Sequence, residues 1–352
     1  MTSKSNSRTR SASSTSSSAP TAKRQKITVA PFLAAFPRRT LLSSSRWVNK
    51  VPHDIWVFQI LNPFLDLKAL STLGRCNTFF EEYWQYVLKL NVIRVPEGCP
   101  NMNQAMDVAV IFSERNECTI ENPVKVEVGE GKYVMVGVNA PGSSTGSLMN
   151  VSCNNIAIVG KGKGKTTILG GFRVYNQQNV KFEALTVANE NGPHGLLLKG
   201  SKTNADILMC IVKQCRYTGT WVEDGATVTA TGTEFMENGF YGMCCVGANT
   251  KASLNDCKMH HNGKHGMRAF YGAVVDLHGT KTDIHSNKLH GIAACTRAKV
   301  NIHLPSQHNT SHDNVGEDRV QWGGGSIANT NADGTFTHVE EDEEEDEEGE
   351  WF

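Results

Sequence analysis

A short motif of the form Asn-Gly-x-x-Gly recurs along residues 191–297 and constrains the fold more than any other feature of the chain. Successive copies are spaced 24, 23, 24 and 25 residues apart, and the second keeps only its closing glycine. A unit this short cannot bury its own apolar side chains, so neighbouring units must stack into a solenoid. The closing glycines are Gly195, Gly219, Gly242, Gly266 and Gly291.

The segments between the motifs alternate apolar and polar residues, as in Ala226–Ala230 and Ala273–Leu277. A period of two residues is typical of β-strands. Asn and Gly at a fixed repeat position suit a tight corner that requires positive φ. Three short strands per repeat, coiling in one direction, predict a parallel β-helix over residues 118–325. With a coil spacing of about 4.8 Å, roughly seven or eight coils are expected.

The formal net charge is zero, but the two ends of the chain carry opposite charges. Residues 1–50 contain ten Lys and Arg and no acid, whereas residues 340–350 contain ten Asp and Glu and no base. We expect a disordered, basic, Ser-rich tail over residues 1–46, and a C-terminal strand with an acidic tail over residues 326–352. The near-neutral middle of the chain gives no indication of nucleic-acid binding.

The sequence favours an intracellular location, in the cytoplasm, the nucleus or both. Its N-terminus lacks the apolar stretch that a secretion signal requires, and no run of about 18 apolar residues predicts a membrane span. Lys23–Lys26 has the form of a short nuclear import signal, with a solvated basic patch as the alternative. The ten cysteines form no Cys-x-x-Cys pair, so we expect small, buried, reduced thiols rather than zinc ligands.

Residues 47–100 carry three short amphipathic patterns that predict a small all-α domain. The helices are expected to begin near Pro52, Asp66 and Thr78, the last with Glu81 in a capping box. A core of this size is marginal alone and needs a partner.

Residues 101–117 predict one more helix, which we expect to cap the open first coil of the β-helix. Its apolar face is Ala105, Val108, Ala109 and Phe112.

The all-α segment resembles an F-box over about 40 residues. The matching elements are Val51–Asp54 at the Leu-Pro-x-Glu/Asp opening, Ile60-Leu61, Phe64–Leu67 and the turn Arg75–Asn77. Departures are Val51 for the usual Leu and Phe79-Phe80 where many members carry Trp. An ordinary three-helix packing module is the alternative interpretation.

The order of F-box, capping helix and β-helix is similar to F-box proteins with a pectin-lyase-like β-helix as substrate domain. The resemblance implies a substrate-recognition adaptor of a cullin-type (SCF) ubiquitin ligase, with no catalysis or cofactor of its own. Its partners would be the Skp-type linker, the cullin ligase and an unknown substrate protein. The residues expected to bind the linker are Pro52, Ile55, Ile60, Leu61, Leu65, Leu67 and Leu70.

Two motifs suggest chemistry. Gly160–Thr167 resembles a phosphate-binding loop, but Val159 stands where the first glycine is required and β-type sequence follows, so we interpret it as a turn. The repeat also predicts that His260 stacks on His285 and His265 on His290. Such columns are more often ladders of like residues than metal or catalytic sites.

Two other function classes remain open beside the ligase adaptor. A scaffold that binds protein without a ligase would differ from the adaptor only in lacking linker binding. A β-helix enzyme acting on acidic polysaccharides is less favoured, because the sequence has no signal peptide and no clustered Asp residues.

Overall fold

A computed structural model describes residues 91–115, 118–135, 148–303, 310–330 and 335–338. These residues form three sheets, here called A, B and C, and each turn of the chain adds one strand to each sheet in that order. Consecutive strands of a sheet are parallel, except for the last pair in sheet A. The described residues therefore form a parallel β-helix, as the repeat predicts.

Sheet A has eleven strands. They are Val92–Val95, Val124–Val128, Ile156–Val159, Val180–Glu183, Asn204–Leu208, Thr227–Thr231, Lys251–Asn255, Val274–His278, Lys299–Ile302, Ser326–Thr330 and Phe336–His338.

Sheets B and C have eight strands each. The strands of sheet B are Gly131–Val134, Thr166–Leu169, Thr186–Ala188, Ile211–Lys213, Glu234–Met236, Lys258–His260, Asp283–His285 and Thr310–His312. The strands of sheet C are Leu148–Val151, Gly171–Tyr175, His194–Lys199, Thr218–Glu223, Met243–Val246, Met267–Phe270, Ile292–Cys295 and Arg319–Trp322.

The register of sheet C confirms the repeat phase predicted from the glycines. The residues that directly follow four successive closing glycines pair with one another, in the order Thr220, Met243, Met267 and Ile292. The closing glycines therefore lie at equivalent points of successive coils, and the residues that directly follow them form a buried column on the inner side of sheet C.

The interior is filled by the inward-facing residues of all three sheets. Val228, Ala230 and Leu254 of sheet A are completely buried, whereas their strand neighbours face outward. Burying an aliphatic side chain of this kind contributes about 1.5–3 kcal/mol. Of the nine cysteines described, all are free thiols and eight are buried, as expected for small apolar side chains.

The first coil is covered by the helix Met102–Arg115, which lies within the predicted range and contacts the first two strands of sheet A. Asn101 accepts a hydrogen bond from the backbone N–H of Gln104 (3.0 Å), so it caps the helix N-terminus. The predicted apolar face is buried at all four positions. Val92–Val95 pairs with Val124–Val128, so sheet A begins inside the range 47–100 that the sequence assigned to the all-α domain.

At the other end, Phe336–His338 pairs antiparallel with Ser326–Thr330. This reversal gives the last parallel strand of sheet A a partner. Among the described residues, no helix is long and apolar enough to cross a membrane.

Candidate functional site

The predicted linker-binding residues lie outside the residues that the structure describes, as do the two charged tails. They are Pro52, Ile55, Ile60, Leu61, Leu65, Leu67 and Leu70. The candidate site is therefore formed by residues of the β-helix.

The turns between sheets B and C are held by a ladder of buried asparagines. Asn238 Nδ2 donates to Asn262 Oδ1 (3.0 Å), and Asn262 Nδ2 donates to Asn287 Oδ1 (2.9 Å). Asn314 extends the ladder by one coil. In the first copy of the motif the buried residue is Asn189, while the motif residue Asn191 is exposed, so the motif does not mark the ladder there.

The glycines of this turn serve close packing, and the prediction that they need positive φ is wrong. Positive φ falls instead on the residue before the motif, at Glu237 (55°) and His261 (57°). A Cβ on Gly266 would lie 2.5 Å from Ile284 Cγ2, and one on Gly242 would lie 2.6 Å from the Gly266 oxygen. Each coil thus approaches the next too closely for a side chain.

The fourth motif residues stack into a column of rings, here called the turn column and formed by Tyr241, His265 and His290. The Tyr241 and His265 rings are stacked with centroids 5.3 Å apart, and those of His265 and His290 are 5.2 Å apart. The predicted stacking of His265 on His290 is therefore present. His265 is 3% exposed, and its Nδ1 makes no hydrogen bond.

Arg268 lies beside this column on the outside of sheet C. Its Nη1 donates to Tyr241 Oη (2.7 Å), and its Cζ lies 4.9 Å from the centre of the Phe270 ring. Phe270 in turn contacts Trp221 edge-on, with centroids 6.3 Å apart. A guanidinium on ring faces gains cation–π energy of about 0.5–2 kcal/mol.

A second cation lies on the turns themselves. Lys264 Nζ lies 4.7 Å from the centre of the Phe240 ring, and Phe240 packs on Tyr217 at 5.0 Å. The exposed Arg216 lies over Tyr217 at 5.4 Å. Together these contacts join the turns to sheet C in one surface, which we call the aromatic–cationic face. Its members are Trp221, Phe240, Tyr241, Lys264, Arg268 and Phe270.

Sequence reasoning did not find this face, although its members occupy regular repeat positions. They are the third and fourth residues of the motif and the second and fourth residues after the closing glycine. The repeat pattern did not reveal these positions, because different residue types, among them Phe, Tyr, Lys and Arg, occupy them in successive coils.

Burial keeps several titratable groups in or next to the aromatic–cationic face uncharged. It raises the pKa of the Tyr241 hydroxyl to about 12, with Arg268 as the largest opposing influence. The pKa of His265 lies well below its usual value, first because of burial and then because of Arg268, His290 and Lys264. Burial also raises the pKa of the Cys244 thiol well above its usual value. At neutral pH these residues therefore supply neither a thiolate nor a phenolate base.

Sheet B carries a second histidine column, formed by His260, His285 and His312 and here called the sheet B column. The predicted stack of His260 on His285 is present, with centroids 5.0 Å apart, and His312 continues it at 5.3 Å. Carboxylates flank the column: His260 Nε2 lies 2.7 Å from Glu234 Oε1, and His312 Nε2 lies 3.0 Å from Asp283 Oδ1.

Stacking makes these imidazole planes parallel, so their nitrogens do not converge on one point. Among the described residues, no group of three or more His, Cys, Asp or Glu side chains is placed to hold a metal ion. Residues 160–165, which resemble part of a phosphate-binding loop, form the turn between Ile156–Val159 and Thr166–Leu169. A strand thus follows where a phosphate-binding loop would continue into a helix.

Residues 167–314 match the protein family described as a right-handed β-helix region. The chain therefore contains a right-handed parallel β-helix, and no family match covers residues 47–100. A comparison with curated proteins found no match.

Among solved structures, ORF18 of Geobacillus virus E2 is similar with a TM-score of 0.44 and 13% identity, covering 72% of this chain and 63% of that one. The A-module of the mannuronan C-5 epimerase AlgE6 from Azotobacter vinelandii has a TM-score of 0.42 and 14% identity, covering 63% and 76% of the two chains. Pectin methylesterase PemA from Erwinia chrysanthemi has a TM-score of 0.34 and 8% identity, covering 70% and 84%.

Proposed function

We propose that the chain is a substrate-recognition adaptor of a cullin-type ubiquitin ligase. The F-box-like segment that contains Pro52 to Leu70 binds the Skp-type linker, and the β-helix binds the substrate protein through the aromatic–cationic face. The adaptor performs no catalysis itself and acts in the cytoplasm, the nucleus or both. It brings a substrate lysine near the active site of a partner, so that the partner's reaction gains from proximity.

The observation that carries the binding role is the composition and rigidity of the aromatic–cationic face. Trp, Tyr and Arg are the residue types that most often dominate protein–protein binding energy. Here Trp221 and Arg268 are partly exposed on strands of sheet C that pair with both neighbours, and the buried Tyr241 supports Arg268 through its hydroxyl. A surface held in this way loses little conformational freedom when a partner binds.

The protonation states of the face favour binding over catalysis. A general base for polysaccharide cleavage must be able to accept a proton near neutral pH. Tyr241, with its pKa at about 12, stays protonated, and the buried His265 stays neutral because its pKa is well below the usual range. The link to a ligase rests on the F-box resemblance of Val51–Asp54, Phe64–Leu67 and Arg75–Asn77.

The test is co-purification with a Skp-type linker. Leu67→Asp together with Leu70→Asp should abolish it, because unpaired carboxylates buried in an interface cost several kcal/mol. The matched control is Leu289→Asp with Val315→Asp, two exposed apolar positions on the β-helix, which should leave linker binding unchanged. The circular dichroism of the β-sheet should be the same in all three proteins.

Undiminished linker binding by the Leu67/Leu70 double variant would remove the F-box interpretation. If the wild-type chain binds a protein partner but no linker, the non-ligase scaffold is correct. Release of reducing or unsaturated ends from an acidic polysaccharide, lost in Arg268→Gln, would instead identify the β-helix as an enzyme.

A further inference from the structure

We propose that the acidic segment of residues 340–352 binds the aromatic–cationic face of its own chain and covers it. This segment lies outside the described residues and contains ten Asp and Glu together with Trp351 and Phe352. The regulatory consequence rests on the proposed function, because a substrate protein would have to displace the segment before it could use the same face. The contact itself does not depend on the adaptor role.

The outer side of sheet C carries a small apolar cluster of its own, separate from the core inside the β-helix. Its members Ala293, Cys295 and Val320 are at most 2% exposed, although their strand neighbours face the interior. Phe270 and Trp322 pack against this cluster and are themselves only partly buried. The cluster therefore has a rim of aromatic surface on which a further segment can pack.

Cations lie among these rings. Arg268 Cζ lies 4.9 Å from the centre of the Phe270 ring and 6.0 Å from that of Trp322, and Lys264 Nζ lies 4.7 Å from that of Phe240. Arg268 and Lys264 each make further interactions in addition to these, as expected of a face that is already occupied. A segment with both carboxylates and rings matches such a surface twice, because carboxylates bond to cations and rings pack on rings.

The direction of the chain brings the segment to this side of the β-helix. The strand Phe336–His338 runs antiparallel to Ser326–Thr330, and His338 lies opposite Ala328. The chain therefore leaves this strand towards the corner at which Trp322 ends sheet C. Residues 339–352 span roughly 45 Å when extended. The face extends over four coils from the last strand of sheet C, which is roughly 20 Å, so the segment can reach all of it.

Charge and tethering favour this segment over a separate partner as the occupant. Its ten carboxylates repel one another, and cations on the face relieve that repulsion. The exposed Arg216 adds to the cations Lys264 and Arg268 on this side of the molecule. Because the segment is joined to the last coil by a short stretch of chain, its effective concentration at the face is of the order of mM. Contacts of modest strength therefore keep it bound.

The experiment compares cleavage of the full chain by a Glu-specific protease with cleavage of a synthetic peptide of residues 339–352. Mass spectrometry follows the bonds within residues 340–347 in both. A bound segment is cleaved only while it is released from the face, so its cleavage should be about tenfold slower than that of the peptide, or slower still. Salt at about 1 M screens the ion pairs and should remove most of this protection, measured against the peptide in the same salt.

Variants of the full chain locate the contact. Lys264→Gln should speed cleavage of the segment about tenfold, as expected for loss of one charge-assisted contact. Lys251→Gln, the same substitution at an exposed position on sheet A, should leave the rate unchanged. Trp351→Ala with Phe352→Ala should also speed cleavage, whereas Trp351→Phe keeps a ring and should retain most of the protection. Circular dichroism checks that all variants keep the β-sheet.

Three results would overturn the proposal. Cleavage of the full chain at the rate of the free peptide would mean that the segment is not bound. The same rate in Lys264→Gln and Lys251→Gln would place the segment elsewhere on the molecule. Protection that persists in 1 M salt and without both rings would mean that neither charge nor aromatic packing holds it. Neither linker nor substrate takes part in these measurements, so failure here is separable from failure of the adaptor role.

Discussion

The two histidine columns share the same repeat and nearly the same stacking, yet their chemistry differs. His265 and His290 stack at 5.2 Å in the turns, and His260 and His285 stack at 5.0 Å on sheet B. In the turn column, burial and neighbouring cations hold the pKa of His265 well below its usual range. On sheet B, hydrogen bonds that the His312 ring donates to the carboxylates of Asp313 and then Asp283 raise the pKa of His312. The repeat therefore sets the stacking, and the neighbours set the charge.

The largest expected loss of stability comes from adding a side chain at the close-packed glycine next to the turn column. The Cβ that Gly266→Val adds would lie 2.5 Å from Ile284 Cγ2, so overpacking should lower the free energy of unfolding by about 1–3 kcal/mol or more. Lys264→Val, in the same turn, removes the cation–π contact with Phe240 without adding bulk to a close-packed position, and should cost less than about 1 kcal/mol. Denaturant unfolding measures both, and equal stabilities would mean that the turn column is not held by close packing.

A somewhat smaller loss of stability is expected when the asparagine ladder beneath the turn column is interrupted. Asn262→Ala leaves the buried amides of Asn238 and Asn287 without one partner each, which should cost about 1–3 kcal/mol. Asn191→Ala changes the same motif position where the side chain is exposed, and should stay within about 0.5 kcal/mol. A similar loss in both proteins would show that the motif, not the buried ladder, determines stability.

The pH dependence contributed by His265 in the turn column and by His312 at the end of the sheet B column should run in opposite directions. Because the folded-state pKa of His265 lies well below the unfolded value near 6.5, the unfolded chain takes up the proton first, and stability falls as the pH drops below about 6.5. The folded-state pKa of His312 is raised, so its contribution is present below 6.5 and is lost as the pH rises through that folded value.

Nitrogen-15 spectra of labelled histidine rings measure this directly. The midpoint of His265 should lie well below the ordinary histidine value near 6.5, and that of His312 should lie above it. Unfolding of His265→Phe, which keeps a ring in the stack, should lose less stability than the wild type between pH 6.5 and 5. Titration of both rings together near 6.5 would show that the neighbours do not decide the charge.

The smallest expected effect concerns the carboxylates of sheet B. Asp283→Asn removes the charge that faces His312 Nε2 at 3.0 Å, in a pair where the His312 side chain is 45% exposed. Solvent screens such pairs, so the loss at pH 6 should be under about 1 kcal/mol and should shrink at high salt. A loss that persists in 1 M salt would mean that Asp283 has a packing role on sheet B.

The sequence predicted more of the sheet B column than of the aromatic–cationic face. Both stacked histidine pairs were predicted, because like residues recur at the repeat distance. The sequence did not predict the contact of Glu234 with His260 or that of Arg268 with Tyr241. The partners are 26 and 27 residues apart, respectively, and they occupy different positions within the repeat. Such contacts depend on side-chain direction across neighbouring coils, which a period does not encode.

The sequence by itself determined the β-helix, its repeat phase and the N-terminal helix. A period of two within strands and about 24 between glycines satisfies backbone pairing and burial in only one way. The tertiary structure alone decided why the glycines are needed, which asparagines are buried and where cations meet rings. These features arise from residues on adjacent coils that touch only after stacking, and from the local dielectric and charge that stacking creates.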